Sequence, residues 1–462
     1  MKNFLFVVAV GLTLMSASPT WLSARQGPPN IIIILADDLG YGDLGCYGSP
    51  SIRTPELDRM ASEGLRFTDF YAGGNLCTPS RAAMLTGRLA IRSGVAGRRG
   101  KHVFHPGTSG GLPAQETTIA EALKPKGYAT ALIGKWHLGH ILPENLPMAH
   151  GFDYYFGLPY SNDMKRVSPE IQNPLPLMSM DHNFRDFRVP LMRGTEVIEL
   201  PADQSTLTRR YTEEAVQFIK DKSEQPFFLY IAHTFPHTPL FVSENFRGKS
   251  LRGRYGDTVE ELDWSVGRVL AVLREKSLDS NTLVFFTSDN GPMLNQKWTS
   301  GSAGPFRDGK ASTWEGAYRV PGIAWWPAKI KQGVTSELAS MLDLFNTALE
   351  LGGAPLPAGV PLDGVDMAPI LFERHTSKRV VQLYYYGDQL QALRKGPFKI
   401  HFVTNTGYGS PPVRQDPPLL FNLNLDPGES YNVATEYPDV VAELARLARD
   451  HETTVTRGDR QF

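Results

Sequence analysis

Four continuous apolar runs, each closing on polar residues, constrain this chain more than any other feature. Residues 31–36 end in Asp37-Asp38, and residues 128–133 lead to Lys135-Trp136-His137. Residues 227–232 precede a loop with His233 and His237, and residues 282–287 lead to Asp289-Asn290. Uninterrupted runs of β-branched and aromatic residues suit strands buried on both faces. Helical patterns lie between them. Thr54-Pro55 opens one that closes at Gly64, and others cover residues 117–124, 205–222 and 257–276. Such alternation predicts an α/β fold with a doubly wound, mostly parallel sheet. Ligands of these sheets sit at the carboxyl ends of the strands, where all four polar clusters fall.

The stretch 164–201, rich in Pro and Met, reads as long loops over the sheet, shaping a cleft. A helix over 341–351 is followed by a Pro-rich stretch at 354–361. Short strand-like runs at 380–386, 391–394, 398–403 and 419–425, then a helix over 440–451, predict a smaller C-terminal antiparallel-sheet subdomain. The expected division is a signal peptide over 1–25, a catalytic domain over 26–374 and a C-terminal α+β subdomain over 375–462.

The signal reading rests on Lys2, the apolar residues 4–15 and small residues near Ser16-Ala17-Ser18 and Ser23-Ala24. That apolar run is short for a transmembrane span, and no later segment is long and apolar enough. With only two cysteines, Cys46 and Cys77, there is no disulfide framework. Export with so few cysteines suits a bacterial periplasmic or secreted protein. A net charge of −1 over 462 residues gives no support to a nucleic-acid or membrane-surface role driven by overall charge.

Chemistry concentrates at Cys77-Thr78-Pro79-Ser80-Arg81, followed by Ala82-Ala83-Met84-Leu85-Thr86-Gly87-Arg88. Pro79 fits a first helical turn, so Cys77 lies at a helix start and Arg81 falls one turn later on the same face. A helix start attracts anions. Asp37, Asp38, Asp289 and Asn290 offer oxygen ligands from two strand ends, a set suited to Ca²⁺ or Mg²⁺. Either acidic pair alone would read equally well as a turn; two pairs beside the Cys77 segment favour a metal site. Lys135 and His137 point the same way if the extended conformation persists. His140, His150 and His233 read as structural.

The Cys77 run resembles the signature of the sulfatase family, in the alkaline phosphatase superfamily. So do Ala36-Asp37-Asp38-Leu39-Gly40-Tyr41-Gly42-Asp43, Gly134-Lys135-Trp136-His137-Leu138-Gly139 and Thr287-Ser288-Asp289-Asn290-Gly291. The resemblance runs from Pro29 to about Tyr431 and points to the branch of arylsulfatase A and N-acetylgalactosamine-6-sulfatase. It implies a sulfate-ester hydrolase with an alkaline-phosphatase-like fold, in which Cys77 is converted by a maturation enzyme to formylglycine. The implied metal is Ca²⁺, with Mg²⁺ as the alternative, on Asp37, Asp38, Asp289, Asn290 and residue 77. The implied catalytic set adds Arg81, Lys135, His137, His237 and Lys310, with Ser161 as a further polar contact. Lys135, Ser161, His237 and Lys310 would bind the substrate, a sulfated oligosaccharide of N-acetylgalactosamine- or galactose-6-sulfate type or an aryl sulfate. A phosphatase or phosphodiesterase of the same superfamily is the alternative. The chain lacks the many cysteines of animal members, so their disulfides do not carry over. The segment 97–111, with Arg98, Arg99, Lys101, His102 and His105, is basic and reads either as a reader of a second anionic group or as a solvated loop. Oligomeric state is open.

Overall fold

The computed structural model describes residues 27–97, 100–167 and 182–462. The signal-peptide reading, Arg98 and Arg99 therefore lie outside the described residues. In chain order the elements begin with β1 (Asn30–Ala36), α1 (Pro55–Glu63), β2 (Leu65–Phe67), β3 (Phe70–Tyr71), α2 (Cys77–Thr86) and α3 (Ile119–Leu123). Then come β4 (Ala129–Gly134), β5 (Tyr154–Gly157), β6 (Leu191–Arg193), β7 (Glu196–Glu199), α4 (Leu207–Asp221), β8 (Phe227–Ala232) and α5 (Gly253–Glu275). The chain continues through β9 (Thr282–Ser288), α6 (Glu315–Tyr318), β10 (Gly322–Trp325), β11 (Gly333–Thr335), β12 (Ala339–Ser340) and α7 (Met341–Leu351). It closes with β13 (Val381–Tyr386), β14 (Gln389–Lys395), β15 (Phe398–Thr404), β16 (Val413–Asn422) and α8 (Pro438–Thr454).

The large sheet has ten strands in the order β11-β2-β10-β9-β1-β8-β4-β5-β6-β7. Its centre, β9-β1-β8-β4-β5, is parallel. The apolar run of β1 explains itself here. Ile31, Ile33 and Leu35 face one core, with α2, α3 and α7. Ile32, Ile34 and Ala36 face the other, with α1, α4 and α5. Both faces are covered, so no polar alternation is needed.

The edges depart from the expectation. β10 runs antiparallel to β9, and β2 and β11 extend that side. On the other side, β6 and β7 form a hairpin against β5. Part of the 164–201 stretch read as loops is thus sheet edge. Its exposed, charged Glu196–Glu199 strand has no buried face to give a period-two signal.

The four-stranded sheet β13-β14-β15-β16 is antiparallel. Its last strand starts at Val413, ahead of the expected 419, and contains Pro417 and Pro418. An edge strand tolerates prolines because one row of N–H groups has no partner to lose. This sheet is joined to the large-sheet body by buried charge. The Lys399 ammonium lies 3.0 Å from both Glu315 and Glu429, and Tyr71 and Tyr384 donate to Glu315 at 2.6 and 2.7 Å.

Candidate active site

The adjacent parallel strands β9, β1, β8 and β4 end together, and their carboxyl ends build the site. β1 delivers Asp37 and Asp38, β9 delivers Asp289 and Asn290, and β4 leads into Lys135 and His137. His237 follows β8 by a short loop. α2 begins at Cys77 with Pro79 in its first turn, and all of its residues are buried. The close approach of β4 to β8 requires Gly134: its φ is 118°, and a Cβ there would lie 1.8 Å from the Ala232 carbonyl oxygen.

These residues converge. The Cys77 thiol lies 3.5 Å from Asp37 Oδ1 and 3.3 Å from Lys310 Nζ. Lys310 donates to Asp38 Oδ1 at 2.6 Å, and Lys135 to Asp37 Oδ2 at 2.5 Å and to Ser161 Oγ at 3.3 Å. Arg81, fully buried, pairs with Asp289 Oδ2 at 2.9 Å and donates to the Lys135 carbonyl at 2.8 Å. Asp37, Asp38, Cys77, Arg81, Lys135, Ser161, Asp289 and Lys310 thus lie in one buried cluster.

One geometric expectation fails. The extended conformation does not persist past Lys135, because His137 takes φ 61°. Its ring turns to the Phe104 carbonyl, 3.2 Å from Nε2. A carbonyl only accepts, so Nε2 carries the hydrogen and Nδ1 keeps the lone pair. That Nδ1 is buried without a hydrogen-bond partner. In His237, Nδ1 lies 2.6 Å from the Thr238 carbonyl and 3.1 Å from Asn162 Oδ1. This leaves His237 Nε2 toward Ser161 Oγ at 3.4 Å and Asp38 Oδ2 at 3.6 Å.

Burial and charge oppose each other here. Burial would raise the Asp37 carboxyl, but Lys135, His237, Arg81 and Lys310 hold it far below the usual carboxylate range. Asp289 is pushed up to about 6 by burial and by its neighbour Asp37, against the pull of Arg81. Burial, then Asp37, raises the Cys77 thiol. Burial, then Lys135 and Arg81, drives His137 well below its ordinary value. Lys310 is raised because Asp38 and Cys77 outweigh its burial.

The donor set fits a hard cation. Asp38 Oδ2 and Asn290 Oδ1 are buried with no hydrogen-bond partner. Asn290 Nδ2 donates to Asp38 Oδ1 at 2.7 Å, which fixes the amide so that its oxygen is left over. Ligand atoms of Asp37, Asp38, Cys77 and His237 lie within 4.8 Å of one another. That group supplies two carboxylate oxygens, a sulfur and an imidazole nitrogen, and the Asn290 oxygen puts oxygen in the majority, as calcium and magnesium prefer, whereas Asp289 stands outside the group with its carboxylate held by Arg81.

Above the cluster opens a cavity of about 620 Å³, lined at its floor by Cys77, His137, Ser161, His237 and Lys310. His102 and His105 line it too, and burial lowers the His102 pKa. Burial pushes His150 and His233 down to about 4, while His140 packs edge-on against Tyr160.

Sequence reasoning missed Thr78, Asn162 and Phe104. Thr78 Oγ1 donates to the His137 carbonyl at 2.9 Å and accepts from the Phe104 amide at 3.4 Å. Thr78 stood inside the Cys77 motif, and Asn162 directly follows Ser161. Phe104 acts through its backbone, which leaves no side-chain signal.

Comparison with known proteins decides the family. The family described as Sulfatase matches residues 29–354, and the C-terminal region of aryl-sulfatase matches residues 377–462. The chain belongs to the sulfatase family. N-acetylgalactosamine-6-sulfatase of Canis lupus familiaris is 39% identical in an alignment covering 98% of this chain and 91% of that protein. Arylsulfatase A of Homo sapiens is 42% identical in an alignment covering 96% of this chain and 90% of that protein. The crystal structure of PsFucS1 sulfatase from Pseudoalteromonas sp. superposes with a TM-score of 0.81 at 33% identity, covering 92% of this chain and 90% of that one. This sulfatase is accordingly a sulfuric ester hydrolase, and the cluster at the sheet ends is its candidate active site.

Proposed function

We propose that this sulfatase cleaves sulfate monoesters of sugars, of the N-acetylgalactosamine- or galactose-6-sulfate type, or of aryl alcohols, through a formylglycine made from Cys77. The observation that carries this is the placement of residue 77. It opens α2, touches Asp37 and Lys310, and lies at the floor of the cavity. The names of the relatives support the sugar and aryl classes.

The roles follow from the contacts. A hydrated aldehyde at residue 77 offers two hydroxyls. One attacks sulfur, and the alcohol leaves with its C–O bond intact. The other loses its proton and re-forms the carbonyl, releasing sulfate. A serine sulfate would have no such internal exit. Lys135 and Lys310 can hold sulfate oxygens and offset charge developing in the transition state. Nδ1–H of His237 is tied to the Thr238 carbonyl, so Nε2 can give a proton to the leaving oxygen when the ring is the doubly protonated imidazolium. His137 Nδ1 can accept the proton of the second hydroxyl. Arg81 keeps its charge at any working pH and favours an ionised hydrate. Ser161 bridges Lys135 and His237.

Asp37, Asp38, Asp289 and Asn290 would hold Ca²⁺ or Mg²⁺ together with residue 77, and such an ion would favour the ionised nucleophile and a bound sulfate oxygen. No helix among the described residues is long and apolar enough to cross a membrane. We further propose export of the chain, with residues 1–25 as the leader, and maturation by a separate formylglycine-generating enzyme.

The test is peptide mass spectrometry of the fragment spanning residue 77 in active enzyme. The expected mass is that of formylglycine, and Cys77→Ala should abolish turnover. Full turnover with only an unmodified thiol in that fragment would exclude the mechanism.

A further inference from the structure

The roles above use the floor of the cavity and leave its outer wall without one. Part of that wall comes from the C-terminal sheet. The strand β13 contributes Tyr386, and the loop between β15 and β16 contributes Tyr408. Tyr386 is already engaged: its ring packs on His102 at 4.7 Å, and its hydroxyl lies 3.2 Å from His102 Nε2. Tyr408 differs. It keeps 39% of its surface exposed while lining the cavity, and no described residue hydrogen-bonds its hydroxyl. Burial of its phenol oxygen raises its pKa, and the Lys310 ammonium pulls against that rise.

The loop that presents Tyr408 is fastened to the segment carrying Lys310. Asn405 Nδ2 donates to the Ala311 carbonyl at 2.7 Å. At Gly407 the backbone lies against Lys310, whose carbonyl oxygen would be 3.4 Å from an added Cβ. Gly407 and Gly409 take φ of 90° and 82°, a region glycine enters without strain. Two such residues flanking Tyr408 turn the chain on both sides of it. The placement of the tyrosine is thus tied to a residue of the sulfate site.

A partly exposed aromatic ring lining the cavity that holds the anion site offers area and π density to C–H groups, not to charge. We propose that Tyr408 is the stacking platform for the alcohol half of the substrate, and that this half is a pyranose or aryl ring in preference to an acyclic chain. The inference rests on the sulfatase reading for the position of the sulfate and concerns the opposite end of the ester.

The test compares wild type, Tyr408→Ala and Tyr408→Phe, all as calcium-loaded, matured enzyme. KM is measured for N-acetylgalactosamine 6-sulfate and 4-nitrophenyl sulfate, and the inhibition constant for inorganic sulfate, which fills only the anionic end. Tyr408→Ala should raise both KM values about two- to twelvefold, the range of one aromatic contact. The sulfate inhibition constant should hold within about twofold, and Tyr408→Phe should restore KM, since stacking needs the ring. An equal rise in the sulfate constant would overturn the proposal, because Tyr408 would then merely support Lys310. Unchanged KM values would also overturn it. If wild type cleaves neither ester, the sulfatase reading fails first. Calorimetric affinity for N-acetylgalactosamine 6-sulfate then decides: a loss on Tyr408→Ala supports stacking, and an unchanged or undetectable affinity overturns it.

Discussion

Asp38 Oδ1 takes hydrogen bonds from Asn290 and Lys310, while Oδ2 is buried with none. A buried carboxylate oxygen without a partner is costly unless a cation faces it. Asp38→Asn keeps the shape and removes the charge. Loss of even an outer-shell partner typically costs on the order of 10–100-fold in metal affinity, so this change should cost at least that. The expected result is calcium-depleted protein by elemental analysis and activity down by at least the same factor. Full activity without bound metal would remove the site from the mechanism. At this scale the candidate site was largely legible in the sequence. Asp37, Asp38, Arg81, Lys135, Asp289 and Lys310 act through side-chain charge, and charge at a strand end or helix start can be read from a motif. Phe104 and Tyr408 could not be read in this way. One acts through a carbonyl and the other through a loop placed by tertiary contacts.

Among the elements, β1, β4, β8 and β9 were legible because burial on both faces leaves an unbroken apolar run. The outer strands β2, β6, β7 and β11 were not. They are three or four residues long and partly exposed, so neither length nor period separates them from loops. The passage from β4 to the site depends on a smaller feature. Gly134 lies against the Ala232 carbonyl in a left-handed conformation, between a central strand and Lys135. Gly134→Ala adds both steric overlap with backbone and φ strain. Neither the sheet pairing nor the Lys135 position can relax independently. The expected loss is about 3 kcal/mol or more of stability, read by denaturant unfolding. Residual folded protein should show weaker sulfate inhibition, because Lys135 shifts. Wild-type stability would mean that β4 and β8 can separate at this point.

For the whole molecule, the question is how far parts distant from the chemistry hold it in place. Residues 455–462 pack back across the large-sheet body. Gly458 donates to the Ile91 carbonyl at 3.0 Å and Gln461 to the Gly94 carbonyl at 3.2 Å. The Phe462 ring stacks on Phe104 at 4.5 Å between centroids, nearly parallel. Phe104 in turn presents the carbonyl that fixes the His137 tautomer. The C-terminal tail is therefore coupled to a group proposed to act in the second half of the reaction. Phe462→Ala removes a contact worth about 0.5–1.5 kcal/mol, too little to unfold a protein of this size. If His137 serves aldehyde re-formation, the first step should survive and the second should slow. The expected signature is lower kcat, little change in kcat/KM, and a burst of alcohol release with sulfated residue 77 visible by mass spectrometry. Phe462→Tyr should restore kcat. Equal losses in kcat and kcat/KM, with no burst, would place His137 in the first step instead. An unchanged kcat alongside a lowered melting temperature would make the tail a structural element alone.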